Sequence, residues 1–176
     1  MQKSLKTKLH IFILIILFLF NNHAVANSLS DEAYEWLKEY ISIDTVNPPG
    51  NEINAVNFYI DILTKENILF EVAESAPGRA NIWARLKGGN KPALILLQHT
   101  DVVPANKEHW TVDPFNPTEI DNHLYGRGVL DMKGTGISQL ATFINLKRAG
   151  KKLNRDIIFL ATADEEAGGN FGVGWL

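Results

Sequence analysis

Apolar positions along the chain fall into two periods. In LSDEAYEWLKEYISI, residues Ala33, Trp36, Leu37, Tyr40 and Ile41 recur at helical spacing. Ser28 or Ser30 can cap that helix. The stretch TVNPPGN (45–51) must be a loop, because two prolines and a glycine forbid regular structure. A second helix is expected from about Glu52 to Glu66, with Ile53, Val56, Ile60 and Leu63 on one face. The period then changes. ILFEVAES (68–75) and ANIWARLKG (80–88) read as strands around the turn-like APGR. ALILLQH (93–99) is continuously apolar, which suits a strand covered on both faces. Residues 104–128 are polar and rich in proline, as expected of a long connection. GISQLATFINLKRAG (136–150) reads as a helix with Ile137, Leu140, Ala141 and Ile144 inward and Gly150 as its C-cap. DIIFLATA (156–163) is a second buried strand, and NFGVGWL begins as if helical. Strand and helix alternate, so the class is α/β, with a central, mostly parallel sheet flanked by helices.

Composition changes this picture at the N-terminus. Lys3, Lys6 and Lys8 precede the apolar run from Ile11 to Phe20, and Ala24-Val25-Ala26 follows. A basic segment, a short apolar segment and small-x-small together read as a secretory signal peptide over residues 1–26. Ten apolar residues are short for a membrane span. The expected product is therefore exported, periplasmic or secreted, with no stable membrane anchor once the leader is removed. Residues 27–176 then form the folded unit, with 14 basic against 20 acidic residues. The remainder is ordinary globular composition, 45% hydrophobic and 21% charged. No basic run supports nucleic-acid binding. The absence of cysteine excludes disulfides and thiolate chemistry and leaves His, Asp and Glu as metal ligands. The apolar ending, Phe171 to Leu176, has no cap and reads as a truncation.

Candidate chemistry gathers after the strands. His99-Thr100-Asp101 follows LILLQ, and Asp164-Glu165-Glu166 follows IIFLATA. Asp131 sits among Gly126, Gly128, Gly134 and Gly136. In open α/β sheets ligands bind beyond the carboxyl ends of the strands, so parallel neighbours would bring these groups to one edge. One histidine with several carboxylates suits Zn²⁺ or Mn²⁺. His99 and Asp101, two apart in extended chain, point the same way, so Asp101 can accept the second ring N–H of a metal-bound His99. Adjacent Glu165 and Glu166 diverge and can take separate jobs, one on the metal and one on a proton. The dinucleotide fingerprint, the phosphate loop, H-E-x-x-H and G-x-S-x-G are all absent.

The ordered motifs HTDVVPA (99–105), Trp110 with DPF (113–115), YGRGVLDMKG (125–134) and ATADEEAGG (161–169) resemble the N-terminal part of the M20 metallopeptidases. This is the aminoacylase, carboxypeptidase G2 and succinyl-diaminopimelate desuccinylase group. NPPGNE (47–52) resembles that family's N-terminal loop. The resemblance implies a zinc-exopeptidase-like catalytic domain holding two zinc ions, with Co²⁺ or Mn²⁺ as alternatives. By position it implies His99, Asp131 and Glu166 as metal ligands, Asp131 bridging the two ions ahead of a cis peptide bond. It implies Asp101 and Glu165 as catalytic residues, Asp101 orienting His99 and Glu165 acting as general base. The implied reaction is hydrolysis of an amide bond in an N-acyl amino acid or peptide, and the implied full-length form a homodimer.

The family pattern also includes a further carboxylate ligand beyond the Glu-Glu pair, a distal histidine ligand and a lid domain. His109 and His123 sit in no family ligand motif. The expected status is therefore an incomplete catalytic domain without a lid or dimerisation domain. The alternative is an inactive remnant that binds metal weakly and does not catalyse.

Overall fold

The computed structural model describes residues 28–176; the leader-like segment 1–26 lies outside them. Helix α1 (Leu29–Ser42) begins where Ser28 and Asp31 cap each other's backbone N–H, at 3.2 and 3.0 Å. This reciprocal arrangement satisfies two otherwise orphaned donors. Helix α2 (Glu52–Lys65) follows the two-proline loop. Then come β1 (Phe70–Ala76), β2 (Arg79–Leu86) and β3 (Lys91–His99). A small hairpin, β4 (Thr118–Ile120) and β5 (His123–Tyr125), interrupts the long connection expected as loop. Helix α3 (Gly134–Ala149) ends at Gly150, whose φ of 59° supplies the expected left-handed cap. Strand β6 (Arg155–Thr162) closes the main sheet.

The class is α/β with a central sheet flanked by helices, as expected, but the sheet is mixed rather than mostly parallel. Its strand order is β1-β2-β6-β3. β3 and β6 run parallel, while β6 pairs antiparallel with β2 and β2 antiparallel with β1. The APGR turn makes β1 and β2 a hairpin, and a hairpin can only be antiparallel.

One apolar cluster holds the described fold together. Ile82, Ala84, Phe159 and Ala161 present one sheet face to Tyr59 and Leu63 of α2 and to Leu140, Phe143 and Ile144 of α3. Tyr40 of α1 stacks on Phe58 at 5.1 Å, and Phe159 meets Tyr59 edge-on at 5.3 Å. The other face is not covered along β3: Ile95 and Leu97 are 51% and 43% exposed. β3 is thus an edge strand, not the doubly covered one its composition suggested. An unbroken apolar run shows that both faces tolerate burial, but not which neighbours are present.

The prediction is a contrast of two truncations. Phe159→Ala should cost about 3–5 kcal/mol, from lost transfer energy plus the cavity it leaves. Leu69→Ala, at a residue 91% exposed, should stay within about 0.5 kcal/mol of the parent. Urea unfolding of the two variants checks both.

Candidate metal centre

The parallel pair β3 and β6 ends with His99 registered against Thr162. Both chains therefore leave the sheet on the same side, which brings 99–101 and 164–166 together. Loop 45–47 extends this edge: Val102 N donates to Thr45 O at 3.0 Å and Asn47 N to Val102 O at 2.9 Å. Asp131 arrives from a different direction, on a tight turn (Val129–Lys133) that enters through Gly128 at φ 81°. A Cβ at Gly128 would lie 2.5 Å from a methyl of Val102, so glycine suits both the angle and the approach. The Asp131–Met132 peptide is cis.

Three of the five expected site residues converge most closely. His99, Asp131 and Glu166 each offer one ligand atom, all within 4.8 Å of one another. His99 Nε2 lies 3.1 Å from Asp131 Oδ1 and 3.8 Å from Glu165 Oε2. Zinc binds imidazole nitrogen and carboxylate oxygen at about 2.0–2.2 Å, so its ligand atoms sit no more than about 4.2 Å apart. Tetrahedral coordination with such bonds sets ligand atoms about 3.4 Å apart, so the three would draw inward on a divalent ion, and their hard-to-borderline chemistry fits one.

The electrostatics agree. Burial opposes a charge on the His99 ring, but the carboxylates of Asp101 and Asp131 outweigh it and push the ring up to about 9. Burial raises the Glu166 carboxyl, and Asp131, Asp101 and Glu165 add to that, against the opposing pull of His99. A field that holds protons this firmly favours a cation in their place.

Asp101 has a wider part than the spacing suggested. The nearest acceptor for His99 Nδ1 is the backbone carbonyl of Asp101, at 3.0 Å, while the carboxylate Oδ1 stands off at 3.4 Å. That fully buried carboxylate instead accepts Glu165 N–H at 3.1 Å, Glu166 N–H at 3.0 Å and the Asn47 amide at 2.8 Å. Asp101 therefore clamps the segment that carries both glutamates.

Behind the clamp lies an ionic layer that sequence reasoning missed. Arg79 donates to both oxygens of Glu52, at 2.7 and 2.8 Å, and to Asp164 at 2.6 Å. Asp164, at φ 70°, also accepts Asn47 Nδ2 and Phe171 N–H, and its own N–H donates to Glu52. Burial alone would raise the Asp164 carboxyl, but Asn47, Phe171 N–H and Arg79 hold it below the usual range. Glu52 stays raised, because burial outweighs Arg79. A signal existed: Asn47 and Glu52 bound the NPPGNE stretch, and Arg79 is a charge at the first residue of β2, directly after the APG turn.

Lys133, also missed, ties the Asp131 turn to α1. Its buried ammonium donates to Tyr40 O and Ile43 O, each at 2.8 Å, and sits 4.6 Å from the centre of the Tyr40 ring. Burial pushes it down to about 7, against the opposing pull of the Asp44 carboxylate.

Residues 95–176 match peptidase family M20/M25/M40. The chain is 39% identical over 136 residues to a probable succinyl-diaminopimelate desuccinylase of Staphylococcus aureus, covering 77% of this chain and 33% of that protein. It is 34% identical over 139 residues to human aminoacylase-1, covering 77% and 34%. Among solved structures, the M20 family metallo-carboxypeptidase Sso-CP2 from Sulfolobus solfataricus superposes with a TM-score of 0.70 at 26% identity, over 79% of this chain and 32% of that one. The chain thus spans about a third of the length of the curated relatives it matches.

Replacing Arg79 by Met should destabilise the fold by about 3–5 kcal/mol, because Glu52 and Asp164 are left buried without their cation. Glu52→Gln keeps a polar partner for Arg79 and should cost less. Equilibrium unfolding at neutral pH gives the order.

Proposed function

Residues 95–176 of this chain are M20-family sequence, and from that premise we propose a metal-dependent hydrolase of amide bonds in N-acyl amino acids or short peptides, using Zn²⁺. The observation that carries the reading is the convergence of His99, Asp131 and Glu166 within 4.8 Å beyond two parallel strands. These three residues would hold the metal, and Asp131, with its carboxylate largely exposed, is the one placed to share a second ion. A bound divalent ion polarises the substrate carbonyl and lowers the pKa of water.

The remaining roles belong to the chain itself. Glu165 stands 3.8 Å from the ligating nitrogen of His99 with an accessible carboxylate. It is positioned to take a proton from the attacking water and return it to the leaving amine. Asp101 fixes where Glu165 stands by binding its backbone N–H, and the Arg79 layer fixes Asp101 through Asn47. Relatives named as a desuccinylase and an aminoacylase support an N-acyl substrate. The leader-like residues 1–26 support export.

The test separates binding from chemistry. In calorimetric titration, His99→Ala should lose zinc affinity by more than the roughly 10–100-fold typical of an outer-shell partner. Glu165→Gln should keep zinc affinity within about threefold yet lower N-acetyl-L-methionine hydrolysis by about 10²–10⁴-fold. Undiminished zinc binding by His99→Ala, or undiminished turnover by Glu165→Gln, would sink the reading.

A further inference from the structure

At the end of the sheet away from the metal centre, where β6 begins, lies a concavity of about 510 Å³. Leu86, Leu146 and Leu153, half-buried, give it an apolar floor, and Arg85, Lys87, Lys147 and Lys151 give it a cationic rim. No described residue in this lining is acidic or aromatic. The nearby Asp156 is already held by Arg85 Nε and by Gly88 N–H, each at 2.6 Å. Lys87, Lys147 and Lys151 are exposed and take part in none of the ion pairs among the described residues. Leu69, in the same lining, is 91% exposed. One exposed leucine is ordinary in itself. Here it stands among three unpaired lysines, on a chain whose residues 27–176 carry 14 basic against 20 acidic residues. Positive charge is thus gathered at this end against the overall balance, while the acids of the metal centre lie at the other. Strand β6 spans 8 residues, so at about 3.3 Å each the two ends are roughly 25 Å apart.

We propose that this end of the fold docks on an anionic lipid bilayer, with Leu69 entering the boundary between headgroups and acyl chains and the three lysines meeting lipid phosphates. An ammonium on a flexible stem suits scattered phosphates, because it binds them as a point charge from many directions. Each lysine brought to an anionic surface strengthens binding by about fivefold. A leucine buried alongside adds an apolar contribution that free phosphate cannot supply. Nucleic acid fits less well, since no ring lines the concavity for a base to stack on. Docked this way, the chain holds its metal centre away from the bilayer, toward solvent. The surface does not depend on the hydrolase reading.

The chain has no cysteine, so Leu69→Cys offers a unique attachment point for an environment-sensitive fluorophore. The labelled full chain is titrated with vesicles of phosphatidylcholine alone and with vesicles of equimolar phosphatidylcholine and phosphatidylglycerol. The label reports on this patch, which separates its docking from any insertion of the apolar residues 11–20. A second chain labelled through Glu108→Cys, an exposed position in the connection after β3, is the control. The mixed vesicles should shift the Leu69 label to shorter wavelength and leave the Glu108 label unchanged, and added salt should reverse the shift by screening. Lys147→Gln with Lys151→Gln, both at exposed positions, should raise the lipid concentration needed by about 25-fold, roughly fivefold per charge removed. No shift on mixed vesicles, an equal shift on phosphatidylcholine alone, an equal response of both labels, or a midpoint unmoved in the double variant overturns the proposal. So does a shift produced by inorganic phosphate or duplex DNA in place of vesicles.

Discussion

Glu52 and Asp164 are carboxylates almost without access to water, and the guanidinium of Arg79 holds both. Burying either acid alone would cost several kcal/mol, so neither is tolerable without that cation. Their pairing fastens three separate pieces of chain: the start of α2, the start of β2 and the turn after β6. Asn47 then carries the arrangement forward, donating to Asp164 and to Asp101 from one amide group. Asp101 in turn holds the N–H groups of Glu165 and Glu166. Each joint is a hydrogen bond to a charged group, the stronger kind, and each lies where water cannot compete.

This layer explains how a turn rich in acids keeps one shape. Glu165 and Glu166 sit on a single 3₁₀ turn (Glu165–Ala167) with no regular structure after it. Left to itself such a turn would be free to splay its carboxylates apart, since like charges repel. Rigid support from behind allows the acids to stand close to His99 and Asp131 in front; Asp101 and Asp131 raise the His99 ring against its burial, and burial first, then the neighbouring carboxylates, raises the Glu166 carboxyl. Lys133 performs the matching task for Asp131, anchoring its turn to the carbonyl end of α1. The site is thus assembled from the two ends of parallel strands and one turn across from them, each tethered by a buried charge.

Much of this was legible in the residues. The helices came from apolar spacing, the α1 cap from Ser28, and the α3 stop from Gly150. The convergence of His99 with the Asp164–Glu166 segment followed from two apolar strands ending in ligands, once those strands were parallel neighbours. Three features were not legible. The antiparallel placing of β2 against β6 depends on which strands pair, and a period of two says nothing about partners. The exposure of Ile95 and Leu97 depends on what packs over β3. The Asp101 clamp was read too narrowly, because its partners lie more than sixty residues away at Glu165 and Glu166.

By itself the sequence determined the kinds of group available: no thiol, one histidine at a strand end, and carboxylates at three places. Their chemistry is local, since a side chain carries its donors and its charge wherever it goes. What only tertiary structure decided is which of these groups meet and which are held apart. Arg79 and Arg148 are the same residue type, yet one is consumed by two buried acids in the layer behind the site and the other pairs with Glu32 and Glu66 near the surface. That difference is a matter of distance and dielectric, and both are set by packing between segments far apart in the chain.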